Sequence, residues 1–164
     1  MDQTLIDSTA AESLRRARNW AQVYPLIPTL PAYEGVPLLI GTLVDAKIPV
    51  GIVTTSPSPY CSRVIAHHKW GIEKTVCYHD TPRRKPYPDP ILKGIELLGV
   101  VADHVWCVGD DPKDIVAAHA AKAPSIGVTW GCTDRTALVA ARPHHVFDTV
   151  AQLDAFFRKL SAKA

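Results

Sequence analysis

The chain has 164 residues, the length of one ordinary domain, and 47% of them are hydrophobic, enough to bury a core without disulfides. Its 18 basic and 16 acidic residues give a formal net charge of +2. They are scattered along the chain, which argues against a nucleic-acid partner. No apolar run reaches the roughly 18 residues of a membrane span and no signal-peptide pattern is present, so a cytoplasmic protein without a membrane partner is expected.

Helix-forming runs of about ten residues alternate with short apolar runs rich in β-branched residues. In chain order the predicted elements are a helix over 10–23, a helix over 36–46, a strand over 48–53, a helix over 60–69, a strand over 75–79, a helix over 89–98, a strand over 104–109, a helix over 113–121, a strand over 125–129, a helix over 134–141, a strand over 145–147 and a helix over 150–160. Capping-box patterns at Thr9 and Thr149 start the first and last helices. Gly71 and Gly99 are placed to end two others.

This alternation predicts an α/β domain with a doubly wound parallel sheet, because each crossover between parallel strands lays a helix on one face of the sheet. In such sheets ligands bind beyond the carboxyl ends of the strands. Residues that directly follow the apolar runs are therefore the candidates for chemistry.

Two candidate positions carry hydroxyl and ammonium groups. Thr54 and Thr55 follow the strand over 48–53 and could hold phosphoryl oxygens where the next helix begins; an ordinary helix-capping loop is the alternative. Lys85 is followed by prolines at 86, 88 and 90, which would hold its ammonium group in place ahead of a helix. A solvated basic loop is the alternative there.

Two further positions carry carboxylates. Asp110, Asp111 and Asp114 follow the strand over 104–109. Carboxylate oxygens of this kind suit Mg²⁺, whereas a surface turn or a helix cap would need only one of the three. Asp2 lies in the segment Asp-Gln-Thr-Leu-Ile-Asp-Ser at the amino terminus, which could simply precede the first helix.

Taken in order, these segments resemble the motifs of the haloacid dehalogenase-like hydrolases, in particular their phosphoglycolate-phosphatase-like branch. The matching segments are Asp2 to Ser8 for the second half of the first motif, Thr54 for the second, Lys85 to Pro90 for the third and Val108 to Ile115 for the fourth. A receiver-type signalling domain would share the sheet and the acidic cluster, but the Lys-Pro-x-Pro-x-Pro segment and the Gly-Asp-x-x-x-Asp order argue against it.

The resemblance implies a Mg²⁺-dependent phosphatase that hydrolyses a phosphate monoester of a small metabolite through an aspartyl-phosphate intermediate. It implies that Asp2 is the general acid/base, that Thr54 and Lys85 hold phosphoryl oxygens as catalytic groups, and that Thr55 adds a backbone amide. Asp114 would support the metal or orient Lys85. The implied metal ligands are Asp110, Asp114 and Asp2.

The resemblance also implies a nucleophilic aspartate two residues before Asp2, on a buried strand, and this sequence begins one residue too late to contain it. A start codon placed too late would explain this, since the methionine of an Asp-Met-Asp segment can be mistaken for the initiator. The alternative is a non-catalytic family member that binds phosphate or a protein.

The spacing between Ser8 and Thr54 leaves room only for a minimal cap, predicted over 10–34 within a single domain over 1–164. Three arginines of this cap could meet an anionic substrate or form a solvated face. They are Arg15, Arg16 and Arg18.

Overall fold

Five short strands, all parallel to their neighbours, form two sheets in the computed structural model, which describes residues 1–161. The predicted domain limit of 164 lies outside the described residues. The first sheet pairs β1 (Gly51–Val53) with β2 (Lys74–Val76). The second contains, in order, β3 (Cys107–Gly109), β4 (Ser125–Val128) and β5 (His145–Phe147).

Eight α-helices are described within residues 1–161 and connect or cover these strands. They are α1 (Glu12–Arg16), α2 (Trp20–Val23), α3 (Val36–Asp45), α4 (Ser58–His68), α5 (Asp89–Leu98), α6 (Pro112–Ala120), α7 (Arg135–Ala140) and α8 (Val150–Ser161). Short 3₁₀ helices lie at Thr9–Ala11, Tyr24–Thr29 and Ala102–His104. None of the described helices is long and apolar enough to cross a membrane.

The prediction of a doubly wound parallel α/β fold is confirmed. Helix α4 connects β1 to β2, and α6 and α7 connect the strands of the second sheet. Every residue of β4 is buried, as expected for the middle strand of a sheet covered on both faces. Among the described residues no strand lies between β1 and β3, so each of these strands has one unpaired edge.

The single helix predicted over 10–23 is wrong. The chain forms a 3₁₀ turn and α1, breaks at Arg18 with φ of 56°, and resumes as α2. In one straight helix Arg15 and Trp20 would point about 140° apart. The break lets both contact Tyr60, with the Arg15 guanidinium carbon and the Trp20 ring each 5.6 Å from the centre of the Tyr60 ring. The predicted capping box at Thr9 is also wrong, because the Thr9 amide donates to Asp7 at 2.9 Å instead.

Other boundaries moved for local reasons. Strand β1 begins at Gly51 rather than residue 48, since Pro49 has no N–H to donate to a ladder. Helix α4 ends at His68 with Lys69 in the left-handed region, so Gly71 is not its cap. The predicted end of α5 is confirmed, with Gly99 at φ of 69°. The capping box at Thr149 is also confirmed by reciprocal hydrogen bonds with Gln152 of 3.3 and 3.2 Å.

Candidate active site

The candidate site lies at the carboxyl ends of β1 and β3, where three segments meet. Thr54 directly follows β1, and Asp110 directly follows β3. The amino-terminal segment, residues 1–8, connects the two strand ends through side chains, because Asp2 contacts Ser56 beyond β1 and Thr4 contacts Asp110. The sheet edge predicted to carry the chemistry is therefore the one where these groups gather.

Lys85 and Asp114 form an ion pair at this edge, and their side chains are only 13% and 15% exposed. The Lys85 ammonium also lies 3.4 Å from the carbonyl oxygen of Val53, the last residue of β1. Burial opposes the charge on Lys85, but the Asp114 carboxylate, together with Asp110 and Asp111, outweighs burial and raises the pKa of Lys85. Asp114 also accepts from the Asp111 amide at 3.3 Å, which fixes it at the start of α6.

Gly109 permits this approach, since a Cβ atom there would collide with the side chain of Asp114. Asp110, the next residue, accepts a hydrogen bond from the Thr4 hydroxyl. Burial raises the pKa of Asp110 to about 6, although that hydrogen bond and the Met1 ammonium group act in the opposite direction. Asp110 is partly buried, and a cation beside it would stabilise its charged form.

Asp2 is held by three donors. Tyr60 donates to one carboxylate oxygen at 2.8 Å, while Ser56 and Arg15 contact the other at 3.0 and 2.8 Å. Burial, and then the charge of Asp2, raise the pKa of Tyr60, which keeps its hydroxyl protonated as a donor. The Asp2 carboxylate is thus fixed from the side of α1 and α4.

The rest of the amino-terminal segment is held by residues that follow β4 and by Tyr33, which precedes α3. The Trp130 indole donates to the Thr4 carbonyl at 3.0 Å, and the Tyr33 hydroxyl donates to Gln3 at 2.8 Å. Gly131 leaves no room for a side chain, because a Cβ atom there would overlap the Gln3 carbonyl. These contacts fix the position of residues 1–8, which form no helix or strand of their own.

The sequence pattern of the haloacid dehalogenase-like hydrolase family matches residues 1–128. The chain belongs to this family. Phosphoglycolate phosphatase from Escherichia coli strain K12 is 30% identical over 118 residues, which cover 70% of this chain and 46% of that protein. The chain therefore spans about half the length of the curated relatives it matches.

Solved structures agree with the family assignment. A hydrolase from Pseudomonas syringae superposes with a TM-score of 0.78 and 25% identity, over 94% of this chain and 72% of the other. A haloacid dehalogenase-superfamily hydrolase from Ehrlichia chaffeensis gives a TM-score of 0.69 at 18% identity, over 93% of this chain and 74% of the other, a similarity of fold.

The residues that match the family motifs are brought to one edge, but not all into mutual contact. Lys85 meets Asp114, Asp110 meets Thr4, and Thr54 is buried with its hydroxyl oxygen accepting from the Ser56 amide at 3.1 Å. Thr55 is exposed. Within residues 1–161 no three His, Cys, Asp or Glu side chains converge as metal ligands. The ligand set of Asp110, Asp114 and Asp2 thus stays a prediction.

Several side chains beyond the predicted site residues shape this site, and among them only Arg15 was a candidate from the sequence. Arg15 is 16% exposed and paired with Asp2, so the solvated-face alternative fails for it, whereas Arg16 is 79% exposed. Tyr60, Thr4 and Trp130 also contribute hydrogen bonds. The one available signal was Thr4, which lies inside the first motif segment.

Proposed function

We propose that this chain carries the core of a Mg²⁺-dependent phosphatase that acts on a phosphate monoester of a small metabolite. The observation that carries the proposal is the placement of Lys85, Asp114 and Asp110 at the carboxyl ends of β1 and β3. A cation beside partly buried carboxylates suits a site that holds a phosphoryl group together with a metal. The phosphoglycolate phosphatase from Escherichia coli supports a small phosphorylated substrate.

Asp110 is the residue whose surroundings fit Mg²⁺ best, since burial raises its pKa to about 6 and a divalent cation would offset that cost. Asp2 would add a second oxygen ligand. Asp114 would orient Lys85 rather than bind the metal, because it already forms an ion pair with that residue. When bound, Mg²⁺ would neutralise charge on the transferring phosphoryl group.

Thr54 and Lys85 would hold phosphoryl oxygens through their hydroxyl and ammonium groups, and Thr55 would add its amide. Thr54 can donate its proton to such an oxygen, because its own oxygen accepts from Ser56. Asp2 would transfer a proton to the leaving oxygen and then take one from water. To reach the substrate, its carboxylate would have to leave at least one of its partners Arg15 and Tyr60.

The carboxylate that attacks phosphorus would come from two residues ahead of Asp2, in a longer form of the chain that extends beyond Met1. Attack would break the bond from phosphorus to the leaving oxygen and form an aspartyl phosphate, which water would then hydrolyse. The competing function is binding of phosphate without turnover. It is favoured by the three donors that already occupy both oxygens of Asp2.

Hydrolysis of p-nitrophenyl phosphate tests the proposal in two forms of the protein: the 164 residues, and the same chain extended by the in-frame codons ahead of Met1. We expect Mg²⁺-dependent turnover only in the extended form, abolished by Asp110→Asn. The matched control is Asp103→Asn, an exposed carboxylate near the amino end of β3, which should leave turnover unchanged.

Two results would contradict the proposal. Turnover by the 164-residue form would show that no upstream nucleophile is needed. A stop codon or unrelated sequence ahead of Met1, together with Mg²⁺-dependent phosphate binding and no turnover, would favour the non-catalytic alternative.

A further inference from the structure

A pocket of about 480 Å³ lies at the amino ends of β4 and β5, away from the candidate active site. Its wall includes His119, in the last turn of α6, and His144, which directly precedes β5. Helix α6 starts at the active site and its nine residues rise about 14 Å, so the pocket lies at the far end of this helix. Any chemistry here is therefore separate from that of Lys85, Asp110 and Asp114.

The two imidazole rings of the pocket are held by Ser125, the first residue of β4, which is fully buried. Its hydroxyl oxygen lies 3.0 Å from His119 Nε2 and 3.1 Å from His144 Nδ1. The Ser125 backbone amide also donates to His144 Nδ1 at 3.1 Å, and the His144 amide donates to the Ser125 carbonyl at 2.9 Å. Both rings therefore have defined positions, although His119 and His144 lie at the surface.

These hydrogen bonds assign the ring nitrogens that carry hydrogen. His144 Nδ1 accepts from the Ser125 amide, so it carries no hydrogen and its one lone pair points toward Ser125. The hydroxyl proton of Ser125 is then left for His119 Nε2, which accepts it with a lone pair of its own. Two unprotonated imidazole nitrogens thus face the same hydroxyl oxygen.

The spacing of the two rings matches that of imidazoles bound to one metal ion. Zn²⁺ binds imidazole nitrogens at about 2.1 Å with tetrahedral angles, which places two ring centres about 5 Å apart. The ring centres of His119 and His144 are 5.4 Å apart, with an angle of 78° between the ring planes. A small shift of either ring would let both nitrogens bind one ion, with the Ser125 hydroxyl beside it.

The charges of the pocket wall allow a cation. Lys122 and Arg142 line the pocket, but both side chains are exposed and can extend into solvent. They follow the ends of α6 and α7, and the carbonyl end of a helix favours positive charge. The groups with fixed positions are the two imidazoles, whose lone pairs repel anions and bind metal ions.

We propose that His119 and His144 together bind one divalent metal ion of the class that prefers imidazole, such as Zn²⁺ or Ni²⁺. Mg²⁺ prefers oxygen ligands and is not the ion of this pocket. Two histidines leave the remaining coordination positions to the Ser125 hydroxyl and to water, so the bound ion is exchangeable. No residue is shared with the proposed phosphatase site, so either proposal can hold where the other fails.

The test titrates the 164-residue protein, without a histidine tag, with NiCl₂ in the presence of excess Mg²⁺, which occupies carboxylate sites but does not compete for imidazole. Trp106 reports binding, because its ring centre lies 6.4 Å from that of His144 and bound Ni²⁺ quenches a nearby indole. We expect saturable quenching by one Ni²⁺ per chain. Trp106→Phe should remove the quenching, while calorimetry still detects the same stoichiometry.

Two variants remove an imidazole and keep the hydrogen bonds of Ser125. The amide group of His119→Gln can replace Nε2, and the side-chain oxygen of His144→Asn can replace Nδ1 as the acceptor. Each variant should bind Ni²⁺ at least about tenfold more weakly, since the loss of a ligand costs no less affinity than the loss of a supporting group. If His144→Asn does not fold, His119→Gln decides.

The matched control is His67→Gln, an exposed histidine in the last turn of α4. The ring centres of His67 and His68 are also close, at 4.8 Å, but neighbouring residues on a helix point about 100° apart, so their nitrogens should not share an ion. The affinity of His67→Gln for Ni²⁺ should therefore equal that of the unchanged protein.

Three outcomes would overturn the proposal. The first is no saturable binding of Ni²⁺ in the presence of Mg²⁺. The second is an unchanged affinity in His119→Gln or in a folded His144→Asn, which would place the ion elsewhere, for example at a cysteine. The third is a loss of binding in His67→Gln.

Discussion

The candidate site has two halves that are positioned in different ways. The strand half, Lys85, Asp110 and Asp114, is fixed by the end of β3, the start of α6 and the loop before α5. The loop half, residues 1–8, has no strand or helix to hold its backbone, apart from isolated bridges at Asp2 and Ile6. It depends on side chains from distant elements. We therefore expect substitutions within the strand half itself to destabilise it. The loop half should be destabilised by substitutions at residues far from it in sequence.

The largest effect is expected in the strand half, for Lys85→Met. This change leaves the nearly buried carboxylate of Asp114 without its cation, which should lower the free energy of unfolding by about 3 kcal/mol. Urea denaturation measures this change in the free energy of unfolding. Adding Asp114→Asn should restore much of the loss, because the amide removes the charge and still accepts from Asp111.

The matched control for that prediction is Lys93→Met. Lys93 pairs with Glu96 on the exposed side of α5, so its loss should cost less than about 0.5 kcal/mol. Similar costs for Lys85→Met and Lys93→Met would mean that the strand half is not organised by the Lys85–Asp114 pair.

The next effect is expected in the loop half, for Gly131→Ala. The added methyl group would overlap the Gln3 carbonyl, so the backbone of the loop half or of Gly131 must move, at a cost of about 2 kcal/mol. Gly41→Ala is the control: it lies within α3 with nothing within 4 Å of the new Cβ. Alanine should stabilise that helix by roughly 0.5–1 kcal/mol. A lower unfolding temperature for Gly131→Ala and a higher one for Gly41→Ala would support the steric explanation.

The positions of the strand half are indicated by local sequence, whereas the contacts that hold the loop half are not, for a physical reason. Lys85 precedes a helix and Asp110 follows an apolar run, and such signals are local. The Tyr60–Asp2 and Trp130–Thr4 hydrogen bonds join residues 58 and 126 positions apart, which no local pattern indicates. The same limit explains the error over residues 10–23, where contacts with Tyr60 override helix propensity.

A smaller loss is expected for Arg15→Ala, which removes the cation that pairs with Asp2. The side chain of Asp2 is 10% exposed and that of Arg15 is 16% exposed, so solvent screens this pair less than a surface pair. We expect a cost of about 1.5 kcal/mol in urea denaturation. Arg16→Ala, on the same helix but paired with the more exposed Glu12, should cost less than about 0.5 kcal/mol. Equal costs would show that the loop half does not depend on Arg15.

The smallest effect is expected for Tyr60→Phe, which removes only the hydroxyl that donates to Asp2. The ring stays buried against Trp20, and the other Asp2 oxygen keeps Ser56 and Arg15, so about 1 kcal/mol should be lost. Tyr87→Phe, on a half-exposed ring, serves as the control and should be neutral. A double-mutant cycle with Arg15→Ala then measures coupling through Asp2. Strict additivity would mean that the two donors hold Asp2 independently, and a coupling above about 0.5 kcal/mol that they hold it as a unit.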